Sequence, residues 1–596
     1  MNYYGSMFLL KPLALLTLCI AALNVWAAPP RVQASETPKS EANKAEEPLN
    51  SQLDGELFYQ LLTAEMRALS GEPATAYPYL MDAARKTGDA AVYQRAVEVA
   101  LQARSGEAAL QAARAWRQAL PASREGNRYL LQILLGMNRL TEAVEPLKRD
   151  IGLVSPAEQA EAITVVPRFF SRVSNKKKAS AVVEQALADQ VSSPVNGPAA
   201  WTTIGRMRME ADDIPGALAA ARAGQAINPY AEGPALLALM LMGTAPELAE
   251  TLVLKHLDAG KPSSSVRLAY ARVLMSSQRY EEAAAQAGIL TRTEPELAQA
   301  WLIVGTLALQ NRDRAEAQAA LQRYITLVAD EAGKAIRDEN EAGLAQAYLA
   351  LASVAEQSGD LVGAQAWLSK VDNGQELVAA QSRRASILAR QGQMSEARQL
   401  IRGLPETNDN DARLKLAAET QLLRENKLYT EAYALLQEAI ANNPEDTELL
   451  YDQAMVAEKL GDLAGMERLL RRVIELKPQS AQAYNALGYS LAERGLRLSE
   501  ARELVLKALT YAPRDPYIID SLGWVEFRSG NLAEAQRILQ GAFEAKRDAE
   551  IGAHLGEVLW RLGKHNEAIA VWRQAQQLAP DNETLQETLK RLGASL

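Results

Sequence analysis

The chain has 596 residues, 48% hydrophobic but only 6% aromatic, with a formal net charge of −9. That length exceeds what one compact core normally serves, and an Ala- and Leu-rich, aromatic-poor composition argues against a sheet-rich fold. The mildly acidic balance offers no basic stripe for nucleic acid, and Lys176-Lys177-Lys178 reads as a solvated corner.

Residues 1–27 read as a signal peptide. Lys11 supplies the positive charge, Leu13 to Trp26 is mostly apolar, and Val25-Trp26-Ala27 followed by Ala28 is a small-residue cleavage pattern. The apolar run is shorter than a spanning helix needs. The expected localisation is therefore periplasmic. The single cysteine, Cys19, sits in Leu16-Thr17-Leu18-Cys19, which partly resembles a bacterial lipobox. Lipidation there would make an outer-membrane lipoprotein and is the one route to a membrane. Leu18 departs from the small residue that motif wants. Residues 28–54 are rich in Glu, Lys, Ser and Pro and read as a disordered linker.

From residue 55 the sequence repeats. Helical apolar runs are divided by turns at Gly71 and Gly106, and Pro167 interrupts the first helix of a fourth unit. The pattern sharpens at Trp201, Gly205, Ala217 and Pro229, weakens over 231–262 between Pro234 and Pro246, and returns at Trp301, Gly305 and Ala317. Residues 55–324 form an N-terminal sub-array, 325–343 an extended connection, and 344–580 a C-terminal sub-array. Residues 581–596 form a capping helix that closes the last apolar face.

The pattern is clearest at the end. Leu487-Gly488, Leu522-Gly523 and Leu555-Gly556 recur at intervals of 35 and 33 residues. Ala501, Ala535 and Ala568 follow, with Gly530 and Gly563 at the intervening turns. A small residue lets two antiparallel helices approach, and Gly accepts the left-handed backbone of a turn. These slots resemble the tetratricopeptide repeat (TPR). The resemblance implies an all-α TPR α-solenoid, a right-handed superhelix of about fifteen helix pairs.

The sequence carries no phosphate loop, no nucleophile elbow and no zinc-protease helix motif. No catalytic residue, metal site or cofactor is expected, and the chain reads as a non-enzymatic binding protein. His554 and His565 straddle one turn and read as polar surface side chains. In TPR proteins the first helix of each pair lines the concave face. Carried onto this chain, that rule points Tyr451, Met455, Asn485, Tyr489, Asp520, Trp524, Phe527, Glu557 and Trp560 into the groove. Trp524 follows the close-packed Gly523, so it is turned about 100° from the helix contact, and Tyr489 holds the same slot one repeat earlier. Both are expected as exposed anchors for a protein partner.

The segments Asn485 to Leu491 and Ala512 to Trp524, with the opening Leu57 to Gly71 and Arg95 to Arg104, resemble large exported proteobacterial TPR proteins. One such group comprises periplasmic TPR (lipo)protein adaptors that bind and activate carboxyl-terminal processing proteases. That resemblance implies an envelope adaptor whose partner is a periplasmic serine protease. The alternative is a structural scaffold of an envelope assembly or polysaccharide-export complex. Neither reading includes nucleic acid.

Overall fold

The computed structural model describes residues 54–260, 262–330, 334–372, 376–406 and 409–596. The signal peptide, Cys19 and nearly all of the linker lie outside the described residues. Among those described, 32 α-helices and one short 3₁₀ turn follow one another, with no strand. They form fifteen antiparallel pairs and a closing helix, one first helix being split in two.

The sequence dictates where helices start. Asp54, Asp89, Asp213, Asp446, Asp515 and Asp548 each cap a helix by accepting backbone N–H bonds in its first turn. Prolines at 73, 198, 215, 246 and 516 occupy first-turn positions, where no intrahelical donor is lost. The same holds over 231–262, where the repeat pattern weakens in the sequence. Pro234 and Pro246 sit in the first turns of helices Glu232–Leu241 and Pro246–Leu257 and bracket an ordinary, short pair. Pro167 has the expected effect: helices Gln159–Thr164 and Val166–Phe169 are separated at Val165.

Most turns inside a pair carry a residue at positive φ. Gly530 and Gly563 supply it at 88° and 78°. The turn expected at Gly106 is built differently. Arg104 takes φ 55°, and Gly106 begins the next helix, Gly106–Ala119. Asp212, Gln278, Arg312 and Lys427 fill the same role elsewhere.

The described chain forms two units, divided between Leu327 and Val328. In the first, a core of small and branched side chains runs from Ala64 to Met207 and is followed by a second from Ala217 to Leu307. In the second, cores follow each other from Ala345 to Leu585. The extended connection falls on helices Arg314–Asp330 and Lys334–Gln357, the latter the longest at 24 residues. Residues 331–333 of it lie outside the described residues. No described helix is long and apolar enough to cross a membrane.

The closing helix is Glu583–Leu592. It buries Leu585 and Thr588 and exposes Gln586, Glu587, Lys590 and Arg591, so the last pair ends on a polar surface.

Candidate protein-binding face

Three first helices, Ala481–Glu493, Pro516–Arg528 and Ala549–Arg561, stand side by side in the second unit. Each leans on its second helix through a glycine. A Cβ on Gly488 would lie 2.7 Å from Val505, one on Gly523 2.6 Å from Leu539, and one on Gly556 2.1 Å from the Trp572 indole. The close approach forecast from the repeat slots is therefore real. For Gly523 the facing residue is Leu539 rather than Ala535.

On the other side of these helices the forecast residues do come together, but not as an open surface. Tyr489 is only 3% exposed and Trp524 only 4%. The expectation that they stand in the groove as free anchors is overturned. The physical reason is His554, which fills the space between them. Its ring stacks on Trp524 at 4.2 Å between centroids, and its Nε2 lies 3.3 Å from the Tyr489 hydroxyl. Its Nδ1–H donates to the Asp520 carboxylate at 2.9 Å. Trp524 in turn donates its indole N–H to Glu493 at 2.6 Å.

His554 is itself 1% exposed, so the reading of it as a surface side chain is also corrected; His565 is exposed. Burial alone would push the imidazole toward its neutral form. The charge and hydrogen bond of Asp520, with Glu550 and Glu493 nearby, outweigh it and raise the pKa to about 9. His554 is thus an imidazolium at neutral pH and bridges two neighbouring repeats. Glu550, on the His554 helix, is 6% exposed; burial raises its pKa, partly offset by the His554 charge. Its Oε1, and Oδ1 of the buried Asn485, find no hydrogen-bond partner among the described residues.

The remaining forecast residues divide. Tyr451 and Met455 are buried on the helix Thr447–Lys459 and join the core that contains Tyr489 and Trp524. Glu557 is buried and receives both guanidinium N–H groups of Arg591, at 2.5 and 2.7 Å, from the closing helix. Asn485 and Asp520 are buried as well, which removes all five of these side chains from any open groove. Phe527 and Trp560 are half-buried. Phe527 lies against Trp524 at 4.9 Å, and Trp560 meets His565 edge-on at 4.1 Å.

Sequence reasoning missed His554 and Glu550. Counted from Leu487, Leu522 and Leu555, Asn485 and Asp520 hold one slot, which Ala553 fills in the third repeat; His554 lies one position beyond it, so no repeat slot marked it. No group of three or more metal-ligating side chains is gathered among the described residues.

The architecture agrees with what the chain resembles. The family model described as tetratricopeptide repeat matches residues 268–333, 419–465 and 521–583. In these three stretches the chain matches the tetratricopeptide repeat. Its fold is an all-α TPR solenoid, and TPR arrays serve as protein–protein interaction scaffolds. A TPR repeat-containing protein of Pseudomonas aeruginosa, PA4667, is 44% identical over 190 residues, 32% of each chain. The human protein O-mannosyl-transferase TMTC1 is 30% identical over 174 residues, 28% of this chain and 19% of that protein. The matched stretch therefore spans a third or less of these relatives. Among solved structures, a tetratricopeptide repeat protein from Parabacteroides merdae aligns with 42% of this chain and 99% of its own, at 18% identity and a TM-score of 0.32.

Proposed function

We propose that this TPR chain is an exported adaptor of the cell envelope that binds a periplasmic carboxyl-terminal processing protease and activates it. The observation that carries the binding half is the rigid inner face of the second unit. His554, Asp520, Tyr489 and Trp524 tie three first helices together, and Phe527 and Trp560 present half-buried rings beside that frame. Buried polar networks of this kind fix geometry, and a fixed aromatic edge loses little entropy on binding. Export rests on Lys11, the apolar run and the Val25-Trp26-Ala27 pattern. The protease as partner rests on the resemblance of residues 485–491 and 512–524.

The test is a pull-down with the full chain from envelope extract, identified by mass spectrometry, then a cleavage assay with the captured protease. Capture of a carboxyl-terminal processing protease and faster cleavage on adding the chain are expected. Trp560→Ala should weaken capture about tenfold, as loss of a half-buried anchor does. Recovery of envelope assembly proteins without protease would return the structural-scaffold reading. N-terminal sequencing of the secreted chain should begin at Ala28; a lipidated Cys19 start would place it on a membrane.

A further inference from the structure

The inner face of the second unit is acidic, and its acids differ in what they hold. Asp520 takes the Nδ1–H of His554, Glu493 takes the Trp524 indole N–H, and Glu557 takes the Arg591 guanidinium. No such donor reaches Glu550 among the described residues. It is 6% exposed, its Oε1 has no hydrogen-bond partner, and the imidazolium near it, His554, is already committed to Asp520. Burial holds this carboxyl above its usual range. An uncharged acceptor is in the same condition. Asn485 is 8% exposed, and its Oδ1 also lacks a partner among the described residues.

The register brings the two together. Helices Ala481–Glu493, Pro516–Arg528 and Ala549–Arg561 run in one direction, because an antiparallel second helix separates each from the next. Tyr489 and His554 meet across the first and third of them. Asn485 and Glu550 each stand four residues earlier on the same face, about 6 Å nearer the helix N-termini. They therefore lie level with each other, with Asp520 on the helix between. Burial raises the pKa of the Tyr489 hydroxyl, and among charges Glu550 adds most to it, as that placement requires. A buried acceptor without a donor costs free energy, and two at one level call for a donor that a ligand brings.

We propose that, on the reading of this inner face as the binding face, Glu550 and Asn485 form a recessed site for a cationic side chain, arginine or lysine, of the bound protein. Two oxygens on separate helices match a group that carries several N–H donors and a positive charge. The acceptors are recessed, so a long unbranched stem with its charge at the tip is the shape that reaches them. A divalent ion fits less well. The nearby Asp520 is occupied by the His554 imidazolium, and no group of three metal-ligating side chains is gathered among the described residues.

Calorimetric titration of the full chain with the end-capped peptide acetyl-Ala-Phe-Arg-Ala-amide tests this, beside peptides with lysine or citrulline in place of arginine. Citrulline keeps the shape of arginine without its charge. The arginine and lysine peptides should bind with Kd below about 1 mM, and the citrulline peptide about tenfold more weakly or worse. This comparison needs no variant. Glu550→Gln and, separately, Asn485→Ala should each weaken the arginine peptide about tenfold with helix content unchanged. Glu281→Gln, at an exposed acid of the first unit, should not. No binding of either charged peptide, citrulline binding as well as arginine, or equal effects of Glu550→Gln and Glu281→Gln would overturn the proposal. So would displacement of the arginine peptide by Ca²⁺ or Mg²⁺ at equal concentration, which would make this a metal site. Peptide binding that Glu550→Gln removes supports the site even where no protease is captured from the envelope. A protease captured equally by the parent and Glu550→Gln chains, with no peptide bound, ends the site and leaves the adaptor reading standing.

Discussion

Three side chains in the second unit, Tyr489, Trp524 and His554, decide how the candidate face behaves, and all three were misjudged from sequence for one reason. Spacing revealed that Tyr489 and Trp524 occupy one slot, because Gly488 and Gly523 mark it. What fills the space beside them depends on a third repeat, and the Tyr489–His554 contact joins residues 65 apart. Exposure is a property of the stack, not of one helix, so a rule written per helix could place these rings but not say that they were covered. The consequence is measurable. Trp524→Ala with Tyr489→Ala should lower the melting temperature of the chain, since removing a buried large ring costs about 3–5 kcal/mol. A double variant that melts like the parent would mean that the rings are not core. The glycine slots were legible because the physics is local. Gly556→Ala puts a methyl against Trp572, whose indole N–H donates to the Ala553 carbonyl at 3.2 Å. It should cost about 1–3 kcal/mol by overpacking. Gly541 on the neighbouring second helix has open space around it, so Gly541→Ala should leave the melt unchanged or raise it slightly.

At the scale of the helix, what was legible was the pairing and its punctuation: caps, first-turn prolines and glycine turns follow from side-chain chemistry within a few residues. What escaped was substitution of one solution by another, as when Arg104 takes the left-handed position beside Gly106. The titrating groups also belong to this scale, because they lie between helices. His554 faces Asp520, Tyr489 and Trp524 from the two preceding first helices, with Glu493 beyond and Glu550 and Glu557 on its own. Its pKa rises on folding to about 9, so its stabilisation is fully present below the unfolded value near 6.5 and is lost as pH climbs through 9. Glu550 is raised by burial, and an acid raised on folding also loses stability as pH rises through its range. Asp452 on the helix Thr447–Lys459 has the same sign: burial lifts it to about 6, against the pull of Arg424. All three therefore predict that the second unit weakens from mildly acidic toward alkaline pH. Thermal melts from pH 6 to 9.5 should show the midpoint falling, with His554→Gln flattening the decline above pH 7. A midpoint that rises over that window would contradict the pairing of His554 with Asp520.

Across the whole chain the repeat principle was readable from end to end, because a period near 34 needs only one small residue per helix to be visible. The division between Leu327 and Val328 falls within residues 325–343, the stretch read from sequence as an extended connection, and the helices there are Arg314–Asp330 and the 24-residue Lys334–Gln357. In an array of this kind each pair rests on its neighbours, and stability is close to a sum of pair and nearest-neighbour contributions. A lesion should then be felt locally. Gly556→Ala lies in the last pair, whose first helix joins the Pro516–Arg528 helix through His554 and the closing helix through Glu557 and Arg591. Hydrogen exchange read by mass spectrometry should show faster exchange in peptides spanning 516–592. Peptides from 55–327 should exchange as in the parent chain, since they belong to the other unit. Opening of the last pairs lies at the low end of the stability range for such arrays, so the change should appear at short exchange times. Loss of protection spread evenly from residue 55 to residue 592 would mean that the chain unfolds as one cooperative body, and the additive description would fail.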